Sequence, residues 1–240
     1  MGSLSRRAVL QGAAATIAAF STRGLFAQEL AMTASTGEGP YYPDKLPLDT
    51  DNDLLLLNDS ITPAVGEITH LTGRVLTVSG APVRNAFIEI WQVDKTGSYV
   101  HTQGRQATGN DKNFQGYGRF LTDAKGQYYF RTIKPVEYTL QGSFRTAHIH
   151  VAISKSGRRI FTTQLLVAGH PANARDGLVQ RMDAQSLKTL LTEFSKLPGS
   201  KLGELTANFE IILGRTAADP EENPPRGTGA PSRRGISSRF

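Results

Sequence analysis

The 240-residue sequence contains no cysteine. That absence excludes disulfides, thiolate nucleophiles, and zinc or iron–sulfur sites built on cysteine. Any metal held by this chain must therefore draw on histidine, carboxylate or tyrosine. The Ala-rich apolar run that ends at Phe20 is too short and too weakly hydrophobic for a bilayer span of about 20 residues. Charge is not of one sign either: 27 Lys and Arg stand against 21 Asp and Glu, a net +6. The first 27 residues carry Arg6, Arg7 and Arg23 and no acid; without them, 24 basic and 21 acidic residues leave +3. The remainder shows no basic stripe interleaved with aromatics, which argues against a nucleic-acid partner. With 39% hydrophobic and 20% charged residues, the composition is that of a globular domain rather than a disordered chain.

Both ends read as appendages. Residues 1–27 contain Ser5-Arg6-Arg7-Ala8-Val9-Leu10, the apolar run, and a small-residue cut near Leu25-Phe26-Ala27, the layout of an export signal. Paired arginines followed by Val9-Leu10 resemble the twin-arginine type, which exports folded proteins; an ordinary secretory signal is the alternative. The expectation is a periplasmic or extracellular protein. Residues 217–240, with Pro220, Pro224, Pro225, Pro231 and Arg233-Arg234, read as a disordered tail. Residues 28–65 read as an extended N-terminal arm, with Leu54–Leu57 as an apolar patch able to dock on the body.

The body, residues 66–216, reads as all-β: a β-sandwich with one short C-terminal helix. Expected strands are Ile68–Val78, Phe87–Val93, Gly118–Thr122, Tyr128–Ile133, His148–Ser154, Ile160–Val167 and Ala207–Leu213. Turn signals such as Ser79-Gly80, Asp123-Ala124-Lys125-Gly126 and Lys155-Ser156-Gly157 separate them, the pattern of a sandwich. Asp183 to Lys196 reads as the helix, with Leu187, Leu190, Leu191 and Phe194 on one face.

One local pattern suggests chemistry. In Arg145-Thr146-Ala147-His148-Ile149-His150, the two histidines sit at i and i+2 of a strand and so share a face, from which both can reach one metal. Alone this is a weak signal, since polar-face histidines are common. Its company is more specific. Leu71-Thr72-Gly73-Arg74-Val75 is followed by Pro82-Val83-Arg84-Asn85-Ala86-Phe87, Ile90-Trp91-Gln92 and Gly97-Ser98-Tyr99. Gly118-Arg119-Phe120-Leu121-Thr122-Asp123 precedes Gly126 to Pro135, Tyr138, the His-x-His pair and Thr163-Gln164-Leu165. This stretch, from Leu71 to Leu166, resembles the intradiol ring-cleavage dioxygenases, the family of protocatechuate 3,4-dioxygenase and catechol 1,2-dioxygenase. Gly37-Glu38-Gly39-Pro40-Tyr41-Tyr42-Pro43 is similar, more weakly, to that family's N-terminal Gly-Pro-Tyr segment.

The resemblance implies one non-haem iron(III) held by Tyr99, Tyr138, His148 and His150, with Tyr138 and His150 axial and Tyr99 and His148 equatorial beside a hydroxide. It implies cleavage of a catechol by O2 between its hydroxyl-bearing carbons, giving a muconate-type dicarboxylate. Tyr138 and the hydroxide would leave as bases, Arg145 would stabilise charge on the ring, and Gln164 would hydrogen-bond nearby. The short arm favours the protocatechuate type, and Arg105, after Tyr99, is a candidate partner for a substrate carboxylate by position. A homo-oligomer and a related partner subunit both stay open. Tyr128 and Tyr129 fit strand packing, His101 lies beside the site or exposed, and His70 and His170 match no motif. Two other classes compete: a non-catalytic catechol- or metal-binding β-sandwich module, and a cupin or zinc hydrolase. The latter needs further His or carboxylate ligands, which Ile149, Val151, Ala152 and Ile153 do not supply.

Overall fold

The computed structural model describes residues 29–47, 49–57 and 62–214. The expected export signal and C-terminal tail lie outside the described residues. Side-chain alternation, with its period of two, builds both layers of the fold. One sheet contains β2 (Phe87–Trp91), β3 (Tyr117–Leu121), β7 (His148–Lys155), β8 (Arg158–Val167) and β9 (Leu191–Thr192), in the order β3-β2-β7-β8-β9. The second is centred on β1 (Ile68–Thr77). It pairs antiparallel with β4 (Gln127–Ile133) and parallel with β11 (Leu205–Asn208) and β12 (Ile211–Leu213); β10 (Phe194–Lys196) lies beyond β11. Ile88 and Ile90 of β2 and Ile149, Val151 and Ile153 of β7 meet Leu71, Val75 and Phe130 of the other sheet in the main core. The alternate residues of the same strands, Trp91 and Ala152 among them, belong to a second cluster on the outer face. β2 and β7 are thus buried on both sides.

Part of the outer face is covered by the arm, through Tyr41 and Tyr42. Its described residues form nothing longer than an isolated bridge at Asp53, yet it is bonded along its length: Thr33 N donates to Ile212 O, Thr36 N to Thr162 O, and Leu54 N to Arg131 O. Leu54 and Leu55 of the expected apolar patch enter the main core, while Leu56 is exposed.

Three expectations need correction. The helix covers only Ala184–Lys188 (α1), capped by Asp183, whose side chain accepts from Ser186 N. Beyond it Leu190 is buried, Leu191 and Thr192 pair with Leu166 and Val167, and Phe194 to Lys196 pair with β11. Ladder bonds to two sheet edges outweigh the modest helix preference of a stretch holding Thr189 and Thr192. The expected strand Ala207–Leu213 is two strands, because Phe209 and Glu210 interrupt the ladder: Phe209 N bonds Thr72 O and its own carbonyl accepts from Tyr128 Oη at 2.6 Å. A hairpin, β5 (Tyr138–Leu140) and β6 (Ser143–Arg145), was not expected at all. Its two-residue turn is Gln141-Gly142, both at positive φ (49° and 77°), the type I′ geometry that matches strand twist. Gln in place of the usual Asn or Asp hides that signal.

Candidate metal centre

The outer face of the β2–β7–β8 sheet carries the site. His148 and His150 project from β7 to the same side. Trp91, paired with His150 across the ladder, stacks its ring on the imidazole at 4.8 Å and 4°. Tyr99 arrives from the loop after β2. That loop is organised by the buried Asp94 carboxylate, which accepts from Thr96 N and Oγ1, Ser98 N and Asp111 N. Tyr138 arrives from the hairpin, directly opposite Arg145 in its register. Gly97 lets the two approaches coexist: at φ 85°, a Cβ there would sit 3.1 Å from Tyr138 Cβ, a conformation suited to glycine.

The four side chains meet at their polar tips. Tyr99 Oη lies 3.0 Å from Tyr138 Oη, 3.3 Å from His148 Nε2 and 3.1 Å from His150 Nε2, and the two Nε2 atoms are 3.2 Å apart. Donors about 2 Å from a common ion are separated by about 3 Å, so this spacing fits one metal. Tautomers agree. His148 Nδ1 lies 2.6 Å from Thr146 O and must donate to it, which leaves Nε2 as a bare lone pair aimed at the cluster. That lone pair faces His150 Nε2, an arrangement that a shared proton or cation relieves. His150 Nδ1 is buried without a protein partner.

Burial, then the charge of Arg145, pushes His148 down to about 3; burial, then His148 and Arg145, holds His150 well below the ordinary histidine value. Burial likewise raises Tyr99 and Tyr138. Without a cation, the site is two neutral imidazoles and two neutral phenols. A trivalent ion with two phenolates and a hydroxide would keep it neutral overall, as a buried site requires. In the metal-free protein, His148 titrates near 6.5 when unfolded and near 3 when folded. The unfolded state then binds more protons between those values. The urea midpoint of the apoprotein is accordingly expected to fall as pH drops from about 6.5, and to fall less steeply in His148→Phe; equal slopes would contradict a buried neutral His148.

Arg145 and Gln164 lie together: Arg145 Nη2 donates to Gln164 Oε1 at 2.6 Å, and Gln164 Nε2 to Thr36 Oγ1 at 3.1 Å. Gln164 also pairs with His150 across β7 and β8. The arm closes the other side. Tyr41 stacks on Tyr99 with centroids 5.2 Å apart, Tyr42 packs edge-on to Trp91, and Gly39 leaves room for His150 Cε1. Tyr42 Oη donates to buried Glu89, which also accepts from Tyr117 Oη and Arg159; Arg159 pairs with Glu38 as well.

Other candidates fall elsewhere. Arg105 is exposed and lines a separate surface hollow with Pro47, Leu57 and Phe114, so position after Tyr99 does not bring it into the group of four. His101 packs edge-on to Tyr41, one residue removed from the donors. His70 bonds Tyr129 Oη, and His170 caps the turn at Ala172. Tyr128 is spent on Phe209 O. Among the described residues no three His, Cys, Asp or Glu side chains gather to hold a metal, so the tyrosines are indispensable to any such site here. Sequence reasoning missed Asp176, Thr36 and Glu89; each acts through partners tens of residues away, which periodicity cannot see.

Comparisons with known proteins cover most of the described residues. The family model described as Dioxygenase matches residues 37–213. The protocatechuate 3,4-dioxygenase beta chain of Burkholderia cepacia is 36% identical over 163 residues, 66% of this chain and 69% of its own length. Catechol 1,2-dioxygenase 2 of Acinetobacter lwoffii is 32% identical over 168 residues, 61% of this chain; the match spans only 58% of that protein. Among solved structures, the dioxygenase domain of a dioxygenase–carbohydrate-binding protein fusion from the cellulolytic bacterium Streptomyces sp. SirexAA-E aligns with a TM-score of 0.56. It is 26% identical, over 77% of this chain and 99% of that one.

Proposed function

The chain belongs to the intradiol dioxygenase family, and from that premise we propose that it cleaves a catechol between its hydroxyl-bearing carbons. Both atoms of O2 enter the product, a muconate-type dicarboxylate. The observation that carries this reading is the cluster in which Tyr99 Oη, His148 Nε2 and His150 Nε2 lie 3.1–3.3 Å from one another and Tyr138 Oη joins at 3.0 Å from Tyr99 Oη. Those four residues would hold iron(III), hard phenolate oxygens favouring the trivalent state. Iron(III) there would supply the Lewis acidity and covalency that make a bound catecholate reactive toward O2.

The chain's own residues do the rest. Tyr138 is the more accessible phenol, 7% exposed against 1% for Tyr99, and sits on a two-stranded hairpin. As the family resemblance implies, it is the one that would leave, as a phenolate, and take a catechol proton on its Oη. Arg145, opposite Tyr138 in the hairpin, offers a fixed positive charge to the electron-rich ring, a preorganised role that needs no rearrangement during reaction. Gln164 holds the guanidinium, Tyr41 packs on Tyr99, and Gly39 lies against the His150 ring. The paired arginines near the N-terminus support a companion proposal, that the reaction takes place outside the cytoplasm.

The test is the visible spectrum of the iron-loaded protein, followed by catechols added without oxygen. Tyrosinate–iron(III) charge transfer should colour the resting protein, catechols should shift the band, and admitting O2 should release the ring-opened acid. A shift without product would leave a catechol-binding module. A colourless protein with full iron(III) loading would sink the ligand assignment.

A further inference from the structure

Asp176 is fully buried, outside every strand, between two 3-10 turns (Pro171–Arg175 and Val179–Arg181). A buried carboxylate is costly unless its lone pairs are used, and here all are. Oδ1 accepts from Leu178 N at 2.8 Å and Val179 N at 3.2 Å. Oδ2 accepts from Thr146 N at 2.8 Å and Arg145 Nε at 2.9 Å. Burial alone would raise the carboxyl, but the Thr146 N–H and the Arg145 guanidinium hold it below the usual aspartate range. It is anchored on one edge and holds something on the other.

What it holds is the working side of the site. Nε is the inner edge of the guanidinium, so fixing it sets the plane of the whole fork. The outer Nη2 then meets Gln164 Oε1 at 2.6 Å, and Gln164 Nε2 meets Thr36 Oγ1 on the arm. The same Oδ2 fixes the Thr146 amide, and the Thr146 carbonyl orients His148 through Nδ1. Thr146 Oγ1 is tied to Asn173 Oδ1 at 2.7 Å, on the segment that carries Asp176.

We infer that Asp176 is a positioning residue for the ring-cleavage reaction, acting through Arg145 to fix the guanidinium–Gln164 pair over the substrate ring. This rests on the dioxygenase reading above. Arg145 is then a clamped charge rather than a mobile ion-pair partner, and the loop between the two 3-10 turns is part of the site's machinery rather than a connection.

The test is a double-mutant cycle on the iron-loaded protein, with unsubstituted catechol as substrate and Asp176→Asn, Arg145→Ala and their combination as variants. Asp176→Asn should lower kcat by about 10- to 100-fold, the range for losing an orienting partner, with KM and the resting visible band little changed. In the Arg145→Ala background the same change should cost clearly less, the remainder being what the Thr146 amide and His148 carry. An equal fold loss in both backgrounds would make Asp176 merely structural and overturn the inference. Hydrogen exchange at Arg145 Nε, followed by NMR, reads the contact without turnover: it should be slow in the wild type and fast in Asp176→Asn, and unchanged exchange would also overturn it. No turnover by the wild type would remove the dioxygenase reading and this inference with it. An additive cycle in an active enzyme removes this inference alone.

Discussion

Replacing His148 by Ala is expected to remove iron from the protein and abolish its tyrosinate colour, with ring cleavage falling by more than about 100-fold, beyond the usual effect of losing an outer partner of a ligand. His148 Nε2 is one of four atoms that meet at the site, and its tautomer is fixed by Thr146 O. An alanine leaves Tyr99, Tyr138 and His150, and no other His, Asp or Glu among the described residues forms a metal-binding group that could substitute. Tyr138→Phe should behave differently. It removes an anionic ligand and the proposed proton acceptor but keeps a ring packed against Tyr99 and His148, so the three remaining donors stay in place, and iron should be partly retained, the charge-transfer band altered and kcat lost more than affinity. Iron per chain and the visible spectrum, measured on both variants, check the pair. Full iron retention in His148→Ala would take that residue off the ligand list.

Gly73→Ala should be among the most destabilising single-methyl additions in the chain. A Cβ there would lie 2.0 Å from Phe209 O and 2.5 Å from Tyr128 Oη. The first of these is backbone, and it is held by the Tyr128 hydrogen bond at 2.6 Å, so nothing nearby can yield cheaply. Relief requires parting β1 from the kink between β11 and β12. Overpacking of this kind costs about 3 kcal/mol, and the melting temperature should drop by roughly 6–12 °C for a domain of this size. Differential scanning calorimetry reads it directly; a shift within about 2 °C would show that the Phe209 kink is soft. The glycine of Leu-Thr-Gly-Arg-Val thus has a packing reason, where the sequence showed only a motif.

How much of the protein was legible depended on the range over which each feature is encoded. The alternation of Ile149, Val151 and Ile153 against His148 and His150 is written in adjacent residues, because a strand turns its side chains over every residue. The same holds for the turn residues between strands, so the sandwich and the paired imidazoles could be read directly. Tyr99 and Tyr138 could not: periodicity treats them as core aromatics, and only the likeness to a known family set them apart. The helix from Asp183 to Lys196 was misread for a related reason. Its apolar spacing suits a helix face, but the hydrogen bonds that decided the matter come from Leu166, Val167 and β11.

The sequence by itself determined the exclusion of thiol chemistry, the strand pattern and the His-x-His platform, all properties of composition or of neighbours along the chain. Only the tertiary structure decided that Tyr138 stands opposite Arg145 in a hairpin, that Asp176 clamps Arg145 across 31 residues, and that Thr36 and Tyr41 of the arm complete the site. These contacts depend on backbone closure over long separations, and the residues making them carry no local preference for the partners they find.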